Sequence, residues 1–178
     1  MLKALLIAGF AIATPAFAIP AFAEGPDMPD YNPEILSSCL DHNKGYDDRA
    51  ACIGQASDKC MSDAKGQTTV GMVQCLGLER SSWDGLLNDT YKSLQDEQRK
   101  ADDAQKADDP ASTPARVAKL QQMEKNWIAF RDSACAFDAT QWEGGSQQGP
   151  SVESCMLQLT ARQTLLLETY LADERQEN

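Results

Sequence analysis

The sequence predicts an all-α protein: a three-helix, up-down-up bundle preceded by two short disulfide-tied helices. Three observations predict it. Apolar residues recur at helical spacing along two long stretches and again near the C-terminus. Sustained strand-like alternation of polar and apolar residues appears nowhere. Six cysteines, Cys39, Cys52, Cys60, Cys75, Cys135 and Cys155, stand beside turn signals where they can staple short helices.

The first 23 residues are set apart from the fold. Lys3, the apolar run 5–12 and the small-x-small set Ala21-Phe22-Ala23 read as a secretory signal peptide cut before Glu24. The apolar run is too short to span a bilayer. Ala16-Phe17-Ala18 offers a second cut, and no cysteine stands at either, so a lipoprotein anchor is not expected. The expected organisation is a signal peptide (1–23), an N-terminal disulfide-tied extension (24–59), a helical domain (60–171) and a tail (172–178). The expected location is the periplasm or outside the cell, with no membrane span.

The elements follow in order. Residues 24–32 are rich in Pro and Asp and read as a lead-in. Asn32 can cap a short helix with Pro33 in its first turn, PEILSSCLDH, ended by Lys44-Gly45. A second short helix is expected over 47–60. Its apolar content is mostly Ala, Ile53 and Cys52, so it needs the cysteines to hold it. Thr68 or Thr69 can cap a long helix whose apolar face is Met72, Val73, Leu76, Trp83, Leu86, Leu87, Tyr91 and Leu94. Gly71, Gly77 and Gly85 each cost about 1 kcal/mol in a helix interior, so this helix requires tertiary support. Residues 95–113 read as a solvated continuation stopped at Asp109-Pro110 and then a mobile loop without function.

Thr113-Pro114 reads as the N-cap and first position of the next helix, which runs to about Thr140. Val117, Leu120, Met123, Trp127, Phe130, Ala134 and Phe137 form its expected apolar stripe, with Trp127 and Phe130 in the core. After a Gly144–Pro150 corner comes a last helix with Val152, Cys155, Met156, Leu159, Leu166 and Tyr170 on one face.

Composition narrows function. The net charge is −11, and Lys3 is the sole charge among the first 23 residues, so their removal leaves the rest more acidic still. Such a chain is poorly suited to nucleic acid, whose phosphates need Lys and Arg. It suits a cationic partner, although charge also serves plain solubility. An even cysteine count in an exported chain favours disulfides. Six cysteines allow 15 pairings; the sequential one, Cys39–Cys52, Cys60–Cys75 and Cys135–Cys155, is the expectation, each bridge tying a helix to its neighbouring turn. A zinc site fails on spacing, and His42 is the single histidine. Catalytic triads, zinc-protease and nucleotide motifs are absent, so no catalytic residue, cofactor or metal is expected.

Two sets of residues stand out. Glu79, Arg131, Asp132 and Arg162 fall in or beside apolar stripes and are expected to form a polar network that fixes helix register. Asp132 lies about 100° round the helix from Arg131, so these two are not expected to pair with each other. The corner holds Trp142, Gly144, Gly145, Ser146 and Gln147: a glycine turn flanked by an aromatic anchor and polar contacts, the expected partner-binding surface. The glycines lack the Lys and strand–loop–helix setting of a phosphate cradle.

One ordered string ties these features together: Cys60, Cys75-Leu76, Glu79, Leu87-Asn88, Tyr91, Leu94, Trp127, Arg131-Asp132, Cys135, Gly144-Gly145-Ser146, Cys155, Thr160 and Arg162. It resembles the LprI-like lysozyme-inhibitor domain over residues 60–171. The resemblance implies an exported, helical, disulfide-tied protein that binds and inhibits lysozyme-type muramidases. Two features differ from the family's namesake: no lipoprotein cysteine at the signal cut, and an added segment carrying Cys39 and Cys52. The alternative function is a cell-envelope structural or adaptor protein that binds another exported protein or a glycan.

Overall fold

The computed structural model describes residues 28–177, apart from the Glu177 side chain; the expected signal peptide lies outside them. Among the described residues there are six α-helices and no strand: α1 Glu34–His42, α2 Tyr46–Ala50, α3 Gln55–Cys60, α4 Thr69–Asp108, α5 Arg116–Thr140 and α6 Gln148–Glu177. The protein is all-α. The long helices α4, α5 and α6 run up, down and up, with α4 packed most extensively on α6. The second short helix of the sequence reading is two: Gly54, at φ +95°, takes a left-handed turn between α2 and α3.

Thr68 caps α4, its side-chain oxygen accepting from the Gly71 amide at 2.9 Å. Gly71 is buried against the preceding turn, where an added Cβ would stand 2.0 Å from the Lys65 carbonyl oxygen. This glycine therefore permits a backbone contact that no side chain allows. With 40 residues, α4 is about 60 Å long.

Two apolar clusters fill the interior. In the first, Trp83 and Leu76 of α4 meet Leu157, Ala161 and Leu165 of α6, together with Leu36 and Leu40 of α1 and Ala56 of α3. The N-terminal extension thus shares one core with the bundle. The second, toward the other end, holds Leu87, Leu94, Leu120, Leu167 and Leu171, with Trp127 packed against it. Arg49 of α2 ties the extension down further, pairing with Glu168 of α6 at 2.9 Å and donating to the Leu40 carbonyl.

Three disulfides join neighbours in sequence: Cys39–Cys52, Cys60–Cys75 and Cys135–Cys155. They tie α1 to the α2–α3 turn, α3 to α4, and α5 to α6.

The start and the phase of α5 differ from the sequence reading. The helix begins at Arg116 rather than at Thr113-Pro114. Its first amides are satisfied from α4, where the Asp102 carboxylate accepts from Arg116 N at 3.0 Å and Val117 N at 3.1 Å. A negative group at a helix N-terminus is favoured by both the free amides and the helix dipole. The stretch read as blank therefore holds the second long helix in place. Lys106 likewise bonds the Pro110 and Ser112 carbonyls, so the loop is tied down. Asp102→Ala is expected to lower unfolding free energy by about 1 kcal/mol, read by urea denaturation; Asp102→Asn should recover part of the loss.

The apolar stripe of α5 predicts the helix but not its rotation. Leu120, Trp127, Arg131 and Cys135 face the bundle, whereas Phe130 is 57% exposed and Phe137 68%. From Trp127 a step of three turns back by about 60° and a step of four advances by about 40°. The bundle takes the step of four, because Cys135 must reach Cys155.

Candidate functional site

The corner between α5 and α6 is built from a chain of local bonds. Trp142 N donates to the Ala139 carbonyl, Gly145 N to the Trp142 carbonyl at 2.8 Å, and Gln148 N to the Gly145 carbonyl. Gly144 supplies the reversal at φ +76°. Beneath the turn, Ser151 of α6 hydrogen-bonds Asp138 of α5, and the Cys135–Cys155 bridge lies below that. On the far side Arg80 of α4 pairs with Glu153 of α6 at 2.9 Å. The corner is thus held to both neighbouring helices.

A groove of about 520 Å³ opens beside it. Trp142, 46% exposed, and Gln147 line it from the corner. Gly144, Gly145 and Ser146 are exposed and lie outside the lining, so the five corner residues divide into two that line the groove and three that do not. Another part of the wall comes from elements that the sequence pattern does not connect with the corner: Asp58 of α3, Met61 just after it, and Met72 of α4. Asp138 contributes a second carboxylate. The signal for that wall is the Cys60–Cys75 bridge, which carries the end of α3 to the start of α4.

The expected polar network is not one network. Glu79 is fully buried and accepts from Gly54 N at 2.7 Å, Ser57 N at 2.6 Å and Trp83 Nε1 at 3.3 Å. Its partners are backbone amides at the start of α3 and one indole, not a cation. Arg131 and Asp132 do pair with each other, with Nη2–Oδ1 at 2.8 Å and Nε–Oδ1 at 3.0 Å. Contrary to the sequence expectation, the long arginine side chain reaches sideways over the offset of about 100° between the two positions. The same guanidinium lies 4.9 Å from the Trp127 ring centroid. Arg162 is exposed on the outer side of α6.

A separate polar pair joins α5 to α6, Gln163 Nε2 donating to Glu124 at 3.0 Å. Burial raises the Glu124 pKa above its ordinary 4.5, partly offset by the Gln163 bond and by Arg131. Burial likewise raises Glu168, against the opposing effect of Arg49. A raised carboxyl pKa means that the native state holds the proton more tightly than the unfolded chain. Below 4.5 this favours folding; the benefit is lost as pH rises through the native pKa. Glu124→Gln is therefore expected to raise the melting temperature at pH 7, by no more than about 1 kcal/mol equivalent. The gain should vanish near pH 4, and melting curves across that range check it.

Among the described residues no cluster of His, Cys, Asp and Glu is arranged to hold a metal ion, and no helix is long and apolar enough to cross a membrane. The groove brings together an aromatic side chain, two aspartates and two methionines on a disulfide-braced frame.

The sequence model of a family described as lysozyme inhibitor LprI matches residues 60–167. The chain belongs to the LprI lysozyme-inhibitor family. The match takes in α4, α5 and α6, the Cys60–Cys75 and Cys135–Cys155 bridges and the corner. Among curated relatives, an uncharacterized 17.7 kDa protein in the puhA 5' region of Rhodobacter capsulatus is 25% identical over 121 residues, covering 68% of this chain and 75% of the relative. An uncharacterized protein of Rhizobium meliloti (strain 1021) is 28% identical over 94 residues, covering 53% of this chain and 67% of the relative. No solved structure matches the chain. LprI membership and the three disulfides both suit an exported protein.

Proposed function

We propose that this LprI-family chain is an exported protein without catalytic activity that binds a lysozyme-type muramidase and blocks its cleft, using the α5–α6 corner as its contact surface. The family match over 60–167 carries the reading. Two further features support it. The net charge of −11 steers association with a basic enzyme. The braced corner presents Trp142 and Gln147 beside carboxylates, an aromatic anchor with polar surroundings on a rigid frame. The signal-peptide pattern of residues 1–23, with its cut expected after Ala23, supports a periplasmic or extracellular destination.

A turbidity assay of cell-wall lysis by lysozyme tests the proposal. Purified oxidised protein at micromolar concentration and low salt should slow clearing, and added salt should relieve the inhibition. Absence of slowing at low salt removes the inhibitor reading in favour of an envelope adaptor. Trp142→Ala should weaken inhibition by about 2 kcal/mol in apparent affinity without lowering the melting temperature, since Trp142 is 46% exposed.

A further inference from the structure

We infer that the groove beside the corner is a socket for an arginine side chain of the partner. The inference rests on the proposed function for the partner's class, a basic protein, and adds the residue type that the site accepts.

Three observations lead to it. Asp58 and Asp138 line the groove from different elements, α3 and α5; Asp138 accepts a hydrogen bond from Ser151, and neither residue forms an ion pair among the described residues. No residue that lines the groove is basic, so its charge is of one sign. Trp142, Met61 and Met72 line the same groove, an aromatic and two thioether side chains that suit a long aliphatic stem ending in a flat cation. Positive charge is matched by the carboxylates, and a planar guanidinium can stack on the indole while it bonds an oxygen at its edge.

The protein displays this geometry within itself. Arg131 lies over Trp127 at 4.9 Å while its edge bonds Asp132 at 2.8 Å. In the groove, Asp138 and Trp142 stand four positions apart and line the same cavity. The groove thus offers an arriving arginine the same two kinds of group, a carboxylate near the end of α5 and an indole in the turn just after it, that Arg131 engages within α5. Lysine fits less well. Its ammonium is compact and strongly hydrated, and it cannot stack and bond edge-on at once.

The test uses the whole oxidised protein and three capped tripeptides, Gly-Arg-Gly, Gly-Lys-Gly and Gly-citrulline-Gly, the last an uncharged arginine mimic. Indole ¹H–¹⁵N resonances report binding, with Trp142→Phe identifying the Trp142 signal among the three tryptophans. The arginine peptide should shift Trp142 saturably at millimolar concentration and leave Trp83 unmoved. The citrulline peptide should have no effect. Asp58→Asn and Asp138→Asn should each weaken the arginine peptide about tenfold, as loss of a charge-assisted bond does; Asn at 138 can still accept from Ser151. An unmoved Trp142, or equal shifts with citrulline, overturns the socket, and equal binding of the lysine peptide overturns the choice of arginine. No lysozyme is involved, so the two ideas fail separately. Inhibition of lysis without peptide binding overturns the socket and leaves the inhibitor. Peptide binding without inhibition supports the socket and removes the inhibitor.

Discussion

Replacing Glu79 with alanine is expected to lower the unfolding free energy by about 4 kcal/mol, combining stranded buried donors with a cavity. The carboxylate has no exposure and holds three donors at once: the amides of Gly54 and Ser57 and the indole of Trp83. Two are the free amides at the start of α3, a six-residue helix too short to persist alone. Trp83 is itself fully buried, at the centre of the cluster joining α1, α3, α4 and α6. Removing the acceptor strands the donors where water does not reach and frees α3 from α4. Glu79→Gln keeps an acceptor oxygen but turns an amine toward the other donors, so its loss should be intermediate. Urea denaturation followed by near-UV circular dichroism measures both. A loss below about 1 kcal/mol would mean that water replaces the carboxylate oxygens.

The second large effect belongs to the Cys60–Cys75 bridge. Changing both cysteines to alanine is expected to remove about 3 kcal/mol in the chain-entropy picture, for a loop spanning 15 positions. The Cys39–Cys52 pair, spanning 13, should cost a similar amount. The two variants should nonetheless differ in function. Cys60 ends α3, the element that brings Asp58 and Met61 to the groove, whereas Cys39–Cys52 lies at the α1 side. At a temperature where both variants remain folded, inhibition of lysis should fall for the Cys60/Cys75 variant and persist for the Cys39/Cys52 variant. Equal inhibition by both would show that the α3 wall is not part of the contact.

The readable parts of this protein were those governed by neighbours in sequence. Cysteine pairing followed local spacing, and the N-cap at Thr68 bonds an amide three residues on. The phase of α5 was harder to read. Three steps on from Trp127 stands Phe130 and four steps on stands Arg131, and the choice between the two lines is made by Cys155, on another helix. Arg131 lies on the bundle-facing line and Phe137 outside it, the reverse of what hydrophobicity ranks. Glu79 was visible as an interruption, but its partners are backbone amides, which every residue carries and no letter reveals. The corner half of the groove, Trp142 and Gln147, stood out as exposed chemistry beside a turn. Asp58, Met61 and Met72 gain meaning from tertiary placement, as does Asp102, an acid in a charged run until α5 begins beside it.

The bridge map has a consequence for how the molecule is made. Its cysteines pair first with second, third with fourth and fifth with sixth, and no loop encloses another. A chain threading N-terminus first into an oxidising space presents them one at a time. At each even-numbered arrival, the one thiol already waiting is the native partner. Order of arrival alone then writes the correct covalent structure, provided that exchange between thiols and finished bridges is slower than threading. Refolding from the fully reduced chain has no such timetable and faces all 15 pairings together.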